Sequence, residues 1–92
     1  MSNLLVRESF NGTFDVKLTD GHCFANCGVG RDWCTVYIIE TDPEYRNKGE
    51  CQKLLEALIE YTTLKGLKFG IFCPMNDTIR HIADKLKINI YE

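Results

Sequence analysis

A chain of 92 residues, 45% hydrophobic and 26% charged, holds material for one small core and none for a second. A net charge of −2 and a pI near 5.6 give no global field for nucleic acid or an anionic membrane, and no run reaches the roughly 20 apolar residues of a membrane span. Five irregularly spaced cysteines point to reduced thiols, and the N-terminus lacks the charged-then-apolar pattern of a secretory signal, so the expected location is cytoplasmic.

Residues 4–10 form a candidate strand closed by the turn pair Asn11-Gly12. Residues 13–19 alternate, with Phe14, Val16 and Leu18 on one face and Thr13, Asp15 and Lys17 on the other, as in a half-buried strand. Asp20-Gly21 marks a second hairpin leading into residues 22–27, and Gly28-Val29-Gly30-Arg31-Asp32 reads as a third turn. His22, Cys23 and Cys27 suggest zinc but lack the paired, close-spaced ligands of a structural site, so no metal is expected. Residues 33–40, rich in aromatic and β-branched side chains, suit a central strand.

The period then changes. Cys51, Leu54, Leu55, Leu58, Ile59 and Thr62 recur at helical spacing over residues 50–65, with Glu50, Lys53, Glu56 and Glu60 on the wet side and Gly66 placed to stop the helix. Residues 67–73 return as a strand ended by Pro74. Asn76 or Asp77 can cap a second helix whose stripe is Ile79, Ile82, Ala83 and Leu86, and residues 88–91 close the chain as a short strand. The order β-β-β-β-α-β-α-β predicts one domain over residues 1–92 of α/β (α+β-like) class, a mixed, mainly antiparallel sheet with two helices.

The turn at residues 46–52 carries the chemistry. A helix start leaves several backbone N–H groups unpaired and partly positive, and a glycine before it lets a ligand oxygen come close. Gly49 sits at that junction with Arg46 and Lys48 beside it, which makes the turn a candidate phosphate site. An ordinary strand-to-helix turn with solvated basic residues fits the spacing equally well.

The run from Ile38 to Leu55, with Pro43-Glu44-Tyr45-Arg46 and Gly49 at its centre, closely resembles the acetyl-CoA-binding motif of the GNAT acetyltransferase superfamily. Pro74-Met75-Asn76 with the following helix resembles that family's second motif, and Cys73-Pro74 looks like a pair found in its very small members. The resemblance implies an acyl-CoA-dependent N-acetyltransferase, with acetyl-CoA as cosubstrate and an amine of a protein or small molecule as acceptor. It implies that the coenzyme pyrophosphate lies on the backbone of Lys48, Gly49, Cys51 and Gln52, flanked by Arg46 and Asn47, with Glu50 in the same turn. Glu40 and Thr41 would pair with the pantetheine arm, and Asn76 would reach it from the other side.

Three residues are candidates for catalysis. Cys73 could protonate the leaving thiolate or take the acyl group, Glu40 could act as base, and Tyr37 could donate to the thiolate or line the acceptor slot. A buried thiol, a strand-end charge and sheet packing are the plainer accounts of the same three. Several residues depart from the family pattern. Glu50 stands where a branched aliphatic is usual and puts an anion near the pyrophosphate. Cys51 replaces a Gly or Ala, Ala83 stands where the tyrosine general acid usually sits, and Lys87 replaces a glycine. Helices that often shape the family's acceptor pocket have no counterpart. These departures motivate an alternative, a catalytically reduced GNAT-like binding protein that contacts a protein partner. A homodimer completing the sheet through an edge strand is a further expectation.

Overall fold

The computed structural model describes residues 4–9, 12–74 and 77–91. The described elements are β1 (Leu4–Glu8), β2 (Phe14–Leu18), β3 (Cys23–Val29), β4 (Trp33–Thr41), a 3-10 turn at Pro43–Tyr45, α1 (Glu50–Lys65), β5 (Lys68–Phe72), α2 (Asp77–Leu86) and β6 (Asn89–Tyr91). The strands form one sheet in the order β1-β2-β3-β4-β5-β6. Pairing is antiparallel from β1 to β4 and parallel from β4 to β6. This is the mixed sheet with two helices that the sequence predicts.

Most strand ends shift by a residue or two, and the third turn is shorter than expected. Gly28 and Val29 belong to β3, pairing with Thr35 and Cys34, and the bend is confined to residues 30–32, where the Gly30 N–H donates to the Trp33 carbonyl at 2.8 Å. The physical reason is the ring of Tyr37, which lies across Gly28. A Cβ there would fall 2.6 Å from the ring, so this glycine makes room for packing and does not turn the chain.

The core lies between one face of the sheet and the two helices. Val16, Ala25, Cys27, Cys34, Val36 and Ile71 meet Leu54, Leu55 and Leu58 of α1 and Ile79 and Ala83 of α2. At the end of α1, Gly66 adopts φ 71° and the Leu67 N–H donates to the Thr62 carbonyl at 2.8 Å. Lys87 takes the same left-handed conformation after α2, with φ 59°, and the Ile88 N–H donates to the Ala83 carbonyl at 2.8 Å. A lysine therefore closes this helix as a glycine would, at some conformational cost. The other face of the sheet exposes Phe24, Trp33, Tyr37, Ile38, Phe72 and Tyr91.

Leu55 is fully buried beneath the sheet, whereas Leu64 on the same helix is 78% exposed. Leu55→Ala should cost about 2–5 kcal/mol, a large share of the roughly 5–15 kcal/mol available to a small domain. Leu64→Ala should change stability by less than about 0.5 kcal/mol. Urea denaturation of the two variants checks both expectations.

Candidate functional site

The site begins with a bulge. Asn26 pairs with Ile38 and Cys27 with Val36, so β4 carries one residue, Tyr37, that β3 does not match. Because side chains alternate along a strand, the extra residue reverses the phase. Cys34 and Val36 face the core before the bulge, and Ile39 and Thr41 lie on the better-buried side after it. β4 and β5 pair only from Trp33 with Lys68 to Val36 with Ile71. Past that point the strands part. A cleft of about 20 Å³ opens there, lined by Val36, Tyr37, Ile39, Ile71, Phe72, Cys73, Pro74 and Ile79. Cys73 turns at its rim with φ 45°, held by its N–H donating to the Tyr91 carbonyl at 2.7 Å.

Beyond β4 the chain folds into the turn that starts α1. Asn47 and Gly49 are both left-handed, with φ 62° and 78°. Gly49 is the N-cap and offers no side chain, and the first intrahelical bond is Lys53 N–H to its carbonyl at 3.0 Å. Among the described residues nothing accepts from the N–H groups of Glu50, Cys51 or Gln52. A Cβ on Gly49 would meet nothing within 4 Å, so it is the backbone conformation that calls for glycine, and the space above the turn stays open. Open amides at the positive end of a 16-residue helix form a place for an anion.

Contacts on the opposite side pin this turn to the sheet. The Glu50 carboxylate accepts from the His22 backbone N–H at 2.8 Å, lies 3.9 Å from the Lys53 ammonium, and is 14% exposed. This corrects the expectation of a wet-side anion crowding the turn, because Glu50 points back towards β3 and satisfies a donor there. The His22 ring stacks on Tyr45 with centroids 3.5 Å apart, its Nδ1 lies 3.7 Å from Asp42, and the Lys48 ammonium sits 5.5 Å above the Tyr45 ring. Arg46 Nε donates to the Thr41 carbonyl at 3.4 Å. The Cys51 thiol hydrogen-bonds to Cys23. That bond holds Cys23 below the ordinary thiol range against its burial, and pushes Cys51 up.

The residues singled out in the sequence therefore fall into three groups. Lys48, Gly49, Glu50, Cys51 and Gln52 form the turn, with Arg46 and Asn47 flanking it and Thr41 at the strand end before it. Tyr37 and Cys73 share the cleft; Tyr37 meets Phe72 edge-on at 5.9 Å, and Cys73 is exposed and not a buried thiol. Glu40 is separate. It lines a hollow of about 350 Å³ with Asp15, Phe24, Asn26 and Ile38 on the helix-free side of the sheet. Asn76 lies outside the described residues. Among the described residues no three His, Cys, Asp or Glu side chains could hold a metal, and no helix is long and apolar enough to cross a membrane. Sequence reasoning left His22 without a role. Its partners Asp42, Tyr45 and Glu50 are more than a hairpin away, and no local spacing announces them.

Removing the Glu50 carboxylate leaves the part-buried His22 N–H without its acceptor. Glu50→Ala should cost about 1–3 kcal/mol in urea denaturation, and Glu50→Gln, which keeps an oxygen acceptor, should cost clearly less.

Solved structures share this architecture. The ribosomal-protein-S18-alanine N-acetyltransferase from Escherichia coli matches with a TM-score of 0.70 and 24% identity, over 85% of this chain and 54% of that one. The aminoglycoside acetyltransferase meta-AAC0020, from an uncultured soil metagenomic sample, matches in complex with sisomicin and with trehalose. Those TM-scores are 0.60 and 0.59, at 15% identity, over 84% of this chain and 56% of that one. The chain spans about half the length of the structures it matches. No family model matches the sequence, and no curated protein aligns with it significantly. At these identities the likeness is one of fold. A mixed, six-stranded sheet that splits after a bulge, with two helices on one face, is thus the fold this chain shares with those acetyltransferases.

Proposed function

We propose that this protein is an acyl-CoA-dependent N-acetyltransferase, moving an acetyl group from acetyl-CoA to an amine of a protein or small molecule. The observation that carries the reading is that β4, after it leaves β5 at Val36, runs on to the turn where the amides of Glu50, Cys51 and Gln52 stand open. A pyrophosphate suits those amides, and the Arg46 and Lys48 cations add charge-assisted bonds. The strand end at Glu40 and Thr41, no longer paired with β5, suits the amide groups of a pantetheine arm.

Acetyl-CoA supplies an activated thioester. When the amine nitrogen attacks its carbonyl carbon, a C–N bond forms, the C–S bond breaks, and the departing sulfur needs a proton. Cys73 at the rim of the cleft would supply it, while Tyr37 lines the same cleft with its hydroxyl lying over Gly28. The incoming amine must lose a proton, and Glu40, which lies outside the cleft in a hollow with Asp15, would draw an ammonium and take that proton through water.

One observation favours a second reading. Ala83, at the position where the family's tyrosine acid usually sits, is fully buried, so α2 brings no acid to the cleft from there. A catalytically reduced GNAT-like protein that contacts a protein partner fits that feature.

At a hundredfold excess over its Kd, acetyl-CoA should stabilise the protein by about 2.7 kcal/mol, a rise of roughly 10–20 °C in Tm. Gly49→Glu, which sets a carboxylate against the anion position, should abolish the rise. No rise at millimolar acetyl-CoA would count against coenzyme binding. A rise without thiol release in the presence of peptide and polyamine acceptors would favour the second reading.

A further inference from the structure

The face of the sheet away from the helices is paved with large apolar side chains. Phe24, Trp33, Tyr37, Ile38, Phe72 and Tyr91 are each between 38% and 45% exposed. They adjoin one another. Phe24 and Ile38 line one hollow, Tyr37 meets Phe72 edge-on at 5.9 Å, and Phe72 pairs with Tyr91 across β5 and β6. The rings of Trp33, Tyr37 and Tyr91 lie down over Gly30, Gly28 and Gly70, so the surface is level and its side chains are already held in place. A large aromatic side chain carries about 150–250 Å². At this exposure the six together leave roughly 350–600 Å² of apolar surface open to water, as much as the largest patch that monomers usually carry.

We propose that this face is the contact between two copies of the chain, packed sheet against sheet about a two-fold axis. Area is the first argument. Two such patches bring together roughly 700–1,200 Å² of apolar surface, and the apolar share of a standard interface of about 1,600 Å² is about 900–1,000 Å². Charge is the second. In a two-fold pairing each patch meets itself, so its own two ends must suit each other. Phe69 and Ile71 pack into the core, so alternation puts Lys68 on the outer face, in register with Trp33. Glu40 lies on the same face at the far end of β4. An axis running across the strands sets the ammonium end of one copy against the carboxylate end of the other. The sheet edges suit a second copy less well, because β1 spans 5 residues and ends in Arg7 and Glu8, and β6 spans only 3. Stacked nucleobases would want a basic groove, whereas the hollow on this face holds Asp15 and Glu40 in a chain of net charge −2. Tyr37 and Phe72 belong to both this face and the cleft, so the second copy would stand at the mouth of the cleft.

The test is sedimentation of the full chain in reducing buffer, which keeps the exposed Cys73 from linking copies covalently. At about 100 μM the particle should have twice the 10.6 kDa chain mass, with a Kd in the micromolar range or below. Trp33 is the chain's single tryptophan and sits in the patch, so it reports on the contact without any substitution. Dilution through the Kd should shift its emission to longer wavelength as the ring meets water. Ile38→Lys and Tyr91→Lys, each shown to be folded by circular dichroism, should raise the Kd roughly 30-fold or more. Val6→Lys on β1 and Leu64→Lys on the helix side, both at exposed positions, should leave it unchanged. A monomer at every concentration would overturn the proposal and leave the face to a different partner. A dimer lost with Val6→Lys but kept with Ile38→Lys would overturn it in favour of the sheet edge. Emission that stays fixed while the dimer dissociates would overturn it as well. None of these readouts uses acetyl-CoA, so their failure is distinct from failure of the acetyltransferase reading.

Discussion

The constraint on which the structure turns is one extra residue in β4. Side chains in a strand alternate with a period of two, so the unmatched Tyr37 moves Ile39 and Thr41 onto the core side and sends Ile38 and Glu40 outward. Bulges also bend and twist the strand that carries them, and β4 stops pairing with β5 at Val36, immediately before its own. After the bulge β4 stays paired with β3 as far as Thr41 opposite Cys23, and the Asp42 N–H carries that ladder on to the His22 carbonyl at 2.9 Å. The loop that follows therefore continues from the strand that lines the split, and α1 begins after it. Cleft and open helix start thus follow one another along a single strand.

A turn with two left-handed residues and an uncapped helix start needs support from elsewhere. Here the support is a cluster of contacts on the side away from the open amides. The Glu50 carboxylate takes a part-buried backbone N–H, an exchange worth more than a surface ion pair. The His22–Tyr45 stack, with Asp42 and Lys48 at its edges, adds an aromatic contact. The arrangement also sorts charge. The Glu50 carboxylate is turned towards β3 and Asp42 towards His22, which leaves the amides with the basic residues Arg46 and Lys48 as neighbours. Glu50 departs from the motif that the sequence resembles and serves as a strut in the structure.

Much of this fold was legible because its elements are strongly patterned. The helical stripe from Cys51 to Thr62 and the stop at Gly66 mark α1, and the strict alternation of Phe14, Val16 and Leu18 marks β2. The turn at residues 46–52 was legible through the longer motif it resembles, since a glycine before a helix with flanking cations also fits an ordinary strand-to-helix turn. The bulge was not. Val36-Tyr37-Ile38-Ile39 is apolar throughout, so a change of phase within it leaves no trace in hydropathy. Gly28 reads as a turn residue until the Tyr37 ring is seen above it. Glu40, Tyr37 and Cys73 look alike as candidates in the sequence, and only the three-dimensional arrangement separates Glu40 from the other two. The tie between His22 and Glu50 joins two elements across 28 positions of sequence, beyond the reach of any local pattern.

The central claim is that the amides opening α1 and the strand edge after the bulge form one coenzyme site. Titration of isotopically labelled protein with acetyl-CoA, followed amide by amide in nitrogen–proton correlation spectra, tests it most directly. The account predicts saturable shifts at Lys48, Gly49, Glu50, Cys51 and Gln52 together with Glu40 and Thr41. Shifts confined to other surfaces, or shifts at the turn with none along β4, would contradict it.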